Sequence, residues 1–129
     1  MRIGEAAAAA HTTSKTVRFY EDRGLLPRAD RAANGYREYD AGVVVRLEFI
    51  RRGRSAGLSL AQIAGILAVH DRGNPPCTHV RDALGGQLAD LDNQIAELTA
   101  LRTTIAEFHD AAAAGDPAAC DPDRICSYV

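Results

Sequence analysis

The sequence predicts a mainly α-helical fold: a winged helix-turn-helix, then a long coiled-coil helix, then a short cysteine-bearing tail. Three observations carry this. Two short helical segments meet across the break His11-Thr12-Thr13-Ser14. An arginine-rich stretch after them holds the turn pair Asn34-Gly35. Further on, apolar residues recur at heptad spacing from Leu84 to Phe108. Composition agrees, because 47% of the 129 residues are hydrophobic but only 5% are aromatic, with no Trp. An apolar fraction led by alanine favours helices over a thick sheet core.

The first helix is expected from Gly4 to about Ala10, and the second through Val17 to Asp22 with Thr13 or Ser14 as its cap. Two short helices joined by a tight turn make a helix-turn-helix or a plain helical hairpin. Gly24 ends the second helix by taking positive φ. Asn34-Gly35 then marks a hairpin, and Tyr36-Arg37-Glu38-Tyr39 alternates as a strand does. With Arg28, Arg31 and Arg37 at its tip or edges, this hairpin has little to bury and suits a wing lying on phosphates. Val43, Val44, Leu47 and Ile50 describe an amphipathic helix with a basic end at Arg51-Arg52, broken by Gly57. Ser59 caps the next helix, whose Leu60, Ile63, Ile66 and Leu67 share a side, and Gly73-Asn74-Pro75-Pro76 stops it.

The longest helical pattern runs from Cys77 to about Ala111. Leu84, Leu88, Leu91, Ile95 and Leu98 step by four and three, and Ile105 and Phe108 continue the seam. Such a seam indicates a coiled-coil dimer, parallel or antiparallel. Val17, Phe19 and Leu26 are expected in the core. After Phe108 the pattern dissolves into a loop rich in Gly, Pro and Asp. Three units follow: residues 1–72 as a winged helix-turn-helix head, 77–111 as a coiled-coil dimerisation helix, and 112–129 as a cysteine-bearing tail.

Charge is unevenly spread. Residues 1–55 carry a balance of +4 and residues 56–129 a balance of −6, within a net charge of −2. A basic half on an acidic chain suggests a polyanion-binding face. No apolar run is long enough to span a membrane, and the alanine-rich opening is too short for a secretory signal. A cytoplasmic location is expected. Three cysteines are an odd number, which argues for free thiols or metal ligands over a disulfide framework. There is no phosphate-binding glycine loop and no nucleophile with a paired base, so no enzyme is indicated.

Arg2-Ile3-Gly4-Glu5, Lys15-Thr16-Val17-Arg18-Phe19-Tyr20-Glu21, Gly24-Leu25-Leu26-Pro27 and Asn34-Gly35-Tyr36-Arg37 closely resemble the MerR family of transcription regulators, in its heavy-metal-responsive branch. The resemblance runs over essentially the whole chain. It implies a homodimer with antiparallel dimerisation helices on an inverted-repeat promoter, where the effector-bound form underwinds and bends DNA for RNA polymerase. It also implies that Lys15, Thr16, Arg18 and Tyr20 lie at the major groove and adjoining phosphates, with Arg31, Tyr36 and Arg37 as wing contacts. Lys15 and Arg18 are one helical turn apart, so both can face a duplex, and an arginine there can bind guanine or phosphate bidentately.

Cys120 and Cys126 flank a five-residue loop, a spacing that lets two thiolates close on one ion. In the metal-sensing relatives, two tail cysteines combine with a residue opening the partner's dimerisation helix, and that position here is Cys77. Relatives that sense monovalent copper, silver or gold have Ser there. The third thiolate therefore implies a soft divalent ion: mercury, lead, cadmium or zinc. Zinc would want a fourth ligand, from Asp121, Asp123 or a histidine such as His79 or His109. The first tail cysteine also comes later in the chain than in the mercury and zinc sensors. A thiol redox switch that closes a Cys120–Cys126 disulfide is the alternative function, and a coiled-coil adaptor without DNA is a more distant one.

Overall fold

Helices dominate the computed structural model, which describes residues 1–129, in the order α1 (Ile3–Ala9), α2 (Ser14–Asp22), β1 (Asp30–Arg31), β2 (Arg37–Glu38), α3 (Ala41–Ser55), α4 (Leu60–Asp71) and α5 (Cys77–Ala114). A single 3-10 turn, Pro117–Ala119, follows in the tail. The chain divides into two compact units, Met1–Gln87 and Leu88–Val129. No helix is long and apolar enough to cross a membrane.

In the first unit, α2, α3 and α4 each start where a side chain can satisfy free N–H groups. Thr13 accepts from the Thr16 amide, Asp40 from the Val43 amide, and Ser59 from the Gln62 amide, with Gln62 returning the bond to the Ser59 amide. The turn between α1 and α2 is made by His11, whose φ of +55° lies in the left-handed region that a side chain enters at a cost. Gly35, at φ +84°, turns the hairpin, and Asn34 Oδ1 accepts the Tyr36 amide across it. The two strands are antiparallel, Asp30 facing Glu38 and Arg31 facing Arg37.

The core of this unit gathers Ala6 and Ala7 of α1, Ala10 just after it, Val17 of α2, Leu25 and Leu26, Tyr39, and the inner faces of α3 and α4. Val80 and Ala83, from the first turns of α5, pack against it. Small alanines on α1 let α2 and α3 approach closely. Arg46 ties the bundle together: its Nε donates to the Leu25 carbonyl at 2.7 Å and its two terminal nitrogens grip Asp71 at 2.7 and 2.9 Å.

Two expectations need correction. Phe19 is 40% exposed, with the Arg23 guanidinium 4.8 Å from its ring centre, so it is a surface residue and not core. On α2 the inward positions are Val17 and Glu21, four residues apart, and Phe19 falls between them on another face. The long helix also continues to Ala114, because the alanines after Asp110 are strong helix formers and nothing stops them before Gly115.

The second unit is the rest of α5 and the tail. No residue of α5 is buried. Leu88, Leu91, Ile95, Leu98, Leu101, Ile105 and Phe108 all stand exposed along it. In the tail, Asp116 caps the 3-10 turn at the Ala118 amide, and Asp121 accepts the Asp123 amide. Tyr128 folds back on Gly115 so closely that a Cβ at Gly115 would collide with its hydroxyl.

Candidate nucleic-acid interface and thiol site

Helix α2 and the hairpin converge on one open groove of about 670 Å³, lined among others by Arg2, Arg18, Tyr36, Arg37 and Tyr39. Three guanidinium groups thus share one surface. Arg2 lies over the exposed Tyr36 ring at 4.4 Å, a cation–π arrangement that fixes both side chains. Of the residues expected to contact DNA, Arg18, Tyr36 and Arg37 come together here. Lys15 and Arg31 are exposed elsewhere on α2 and the hairpin, and Arg31 donates to the Gly35 carbonyl at 3.1 Å. Thr16 is half-buried, its hydroxyl accepting from Thr13 within the helix cap. Tyr20 lines a separate recess of about 330 Å³ with His11, Arg51 and Arg54, among others.

Two residues that shape this face were not singled out from sequence. Arg2 sits just before α1, and only the fold shows that the hairpin returns to it. Glu21 is the one buried charged residue of the chain. Its Oε2 accepts from Arg37 Nη1 at 2.6 Å, while its Oε1 and the Tyr39 hydroxyl are buried without a well-formed hydrogen bond. The Tyr39 hydroxyl first, and the Glu21 carboxylate next, raise the Arg37 pKa above its ordinary value. Burial, and then Glu21, push the Tyr39 phenol up as well. The spacing Val17 to Glu21 along an inward face was the available signal for a buried carboxylate.

All three cysteines are free and exposed. Cys120 and Cys126 line one small pocket of about 200 Å³ together with Asp121, Arg124 and Tyr128, among others. The Tyr128 amide donates to Cys126 Sγ at 3.4 Å. Cys77 opens α5. Two thiols at one pocket are a fit donor pair for a soft metal ion. Within the single chain, however, no three His, Cys, Asp or Glu side chains gather closely enough to hold one.

Two family profiles match the chain: a MerR helix-turn-helix regulatory protein profile over residues 1–69 and a MerR DNA-binding profile over residues 44–108. The HTH-type transcriptional regulator HmrR of Rhizobium leguminosarum bv. viciae is 41% identical over 105 residues, 81% of each chain. The mercuric resistance operon regulatory protein of Bacillus cereus is 36% identical over 97 residues, 75% of this chain and 74% of that one. Among solved structures, the transcription regulator PbrR691 of Ralstonia metallidurans CH34 in complex with lead(II) superposes with a TM-score of 0.72. It is 34% identical and covers 93% of this chain and 94% of its own.

Proposed function

The chain belongs to the MerR family of helix-turn-helix transcription regulators, and from that premise we propose that it acts in the cytoplasm as a homodimeric, metal-responsive switch on promoter DNA. The observation that carries the metal-responsive part is the pairing of free Cys120 and Cys126 at one pocket. Lead(II) in PbrR691 and the mercuric resistance role named for the B. cereus relative support a soft divalent ion as effector: mercury, lead, cadmium or zinc.

In this reading Arg18, Lys15 and Thr16 on α2 meet the major groove and its phosphates, and Tyr20 lies beside them. Arg31, Tyr36 and Arg37 of the hairpin reach the adjoining backbone. The arrangement of Arg2 against Tyr36 adds a further guanidinium to that face. The exposed apolar seam of α5 is covered by an antiparallel second copy, because seven large side chains left in water along one helix are better buried against a partner.

Cys120 and Cys126 of one protomer, with Cys77 of the partner subunit, would hold the ion. When bound, a soft ion would be held by thiolates from both chains. The residues joined by it belong to different protomers, so ion binding and the relative setting of the two DNA-reading heads are coupled. The dimer sits on an inverted repeat and bends and untwists the DNA for RNA polymerase, control by deformation more than by base contact.

The test is transcription from the protein's own promoter, titrated in turn with zinc, cadmium, lead, mercury and copper(I) under reducing conditions. Activation by a divalent soft ion, with all three cysteines required, is the expected outcome. No response to any ion, with switching by a thiol oxidant instead, would replace this reading with a Cys120–Cys126 redox switch.

A further inference from the structure

Glu21 stands out because a carboxylate in an apolar core is destabilising unless it is paired. Its side chain is only 4% exposed, on the α2 face directed into the bundle, one turn from Arg18. Its partner Arg37 is 45% exposed, so one end of that guanidinium is held inside while the rest faces the groove it shares with Arg18. The two strands add little to hold the hairpin, each being two residues long and wholly exposed, and its base is anchored by buried Tyr39, whose amide donates to the Met1 carbonyl. The N-terminal amine ties it to the start of the chain through Glu38 and the Tyr39 carbonyl. The Arg37–Glu21 bond is the one hydrogen bond that joins it to the recognition helix.

We propose that Glu21 is a positioning residue for DNA binding: through Arg37 it locks the hairpin to the recognition helix, so that the two DNA-contacting elements meet the duplex as one unit. Glu21 touches no DNA in this account. It fixes the direction of the Arg37 guanidinium, whose remaining N–H groups are left to bind a phosphate oxygen. The unpartnered Glu21 Oε1 and Tyr39 hydroxyl leave room for a second bond within the same buried cluster. The inference rests on the assignment of Arg18 and the hairpin to the DNA face.

The sign of one substitution separates positioning from simple electrostatics. Removing a negative charge near a polyanion should by itself tighten DNA binding. Positioning requires the opposite. The experiment measures affinity of the full-length protein for a duplex selected from random sequence, across a salt series, for wild type, Glu21→Gln, Arg37→Ala, the double variant and Arg18→Ala. Glu21→Gln is expected to weaken binding by the homodimer roughly a hundredfold, about tenfold for the charge-assisted hydrogen bond lost in each protomer. It should also flatten the dependence of log affinity on log salt by about two, as for one phosphate lost in each protomer. In the Arg37→Ala background it should have no further effect. Glu21→Asp keeps the charge and shortens the reach, and should lose affinity in the same direction; it serves if the glutamine variant folds poorly. Tighter or unchanged binding by Glu21→Gln, or losses that simply add to those of Arg37→Ala, would overturn the proposal. If Arg18→Ala also binds as wild type, it is the assignment of the DNA face that fails.

Discussion

Replacing Leu98 tests whether the α5 seam is a dimer interface, and the structure sets the size of the effect. Leu98 is 66% exposed in the single chain, so two-thirds of its surface is still to be covered. Leu98→Ala removes three carbons, each worth about 0.8 kcal/mol when buried. Two-thirds of that is about 1.6 kcal/mol per chain, or about 3 kcal/mol for two symmetric copies. The dimer dissociation constant should then rise by roughly two orders of magnitude. Leu98→Asp should do more, because it also places two carboxylates in an apolar seam. Sedimentation equilibrium over a concentration series reads this directly, with Gln94→Ala, an exposed polar position on the same helix, as the control. An association constant unchanged within about threefold for Leu98→Ala, where the seam argument requires about a hundredfold, would place the interface elsewhere.

Three further outcomes are expected. Arg18→Ala should weaken binding to selected DNA and flatten its salt dependence by about two if a phosphate contact is lost in each protomer; an unchanged slope with weaker binding would point to a base contact. Arg46 lowers the Asp71 carboxyl below its ordinary value of 3.8 by hydrogen bonding, so the pair's contribution to stability is complete above about pH 4 and fades as pH falls through the lowered pKa. The gap in melting temperature between wild type and Asp71→Asn should therefore shrink below about pH 4, and a gap that widened there would contradict the assignment. In Gly53→Ala, a Cβ would lie 3.1 Å from Cδ1 and Cγ1 of the fully buried Ile63. The overpacking, about 1 to 3 kcal/mol, should outweigh a helix-propensity gain of about 1 kcal/mol; a higher melting temperature would show that Ile63 yields.

Much of the first unit was legible because local chemistry and fold agree there. Thr13, Ser59 and Gly24 mark helix ends by capping and turn geometry, and the structure uses all three in those roles. Asn34-Gly35 likewise announces its hairpin. What periodicity could not supply was the environment of residues between clear positions. Phe19 looks like core by composition, yet the α2 face that turns inward is defined by Val17 and Glu21. A glutamate at the end of an amphipathic stretch reads as solvated until the fold brings Arg37 to it from sixteen residues away. Arg2 has the same difficulty, because its stacking partner Tyr36 lies across the hairpin return. In the tail, Cys120 and Cys126 both line one small pocket. The third thiol proposed here, Cys77, opens α5 and would join them only by assembly between chains, which the fold of a single chain does not display.

The most direct test of the central claim is a mixed dimer in which one chain carries Cys77→Ser and the other carries Cys120→Ser and Cys126→Ser. If each ion is held by two tail thiolates of one chain and Cys77 of the partner subunit, one site keeps all three thiolates and the other keeps none. Titration with lead(II), read by the charge-transfer absorbance of its three-thiolate complex, should then show a single three-thiolate site per dimer. Absence of any three-thiolate site, with only two-thiolate binding by Cys120 and Cys126, would mean that the three thiolates belong to one chain, and the coupling of metal to the two DNA-reading heads proposed here would be wrong.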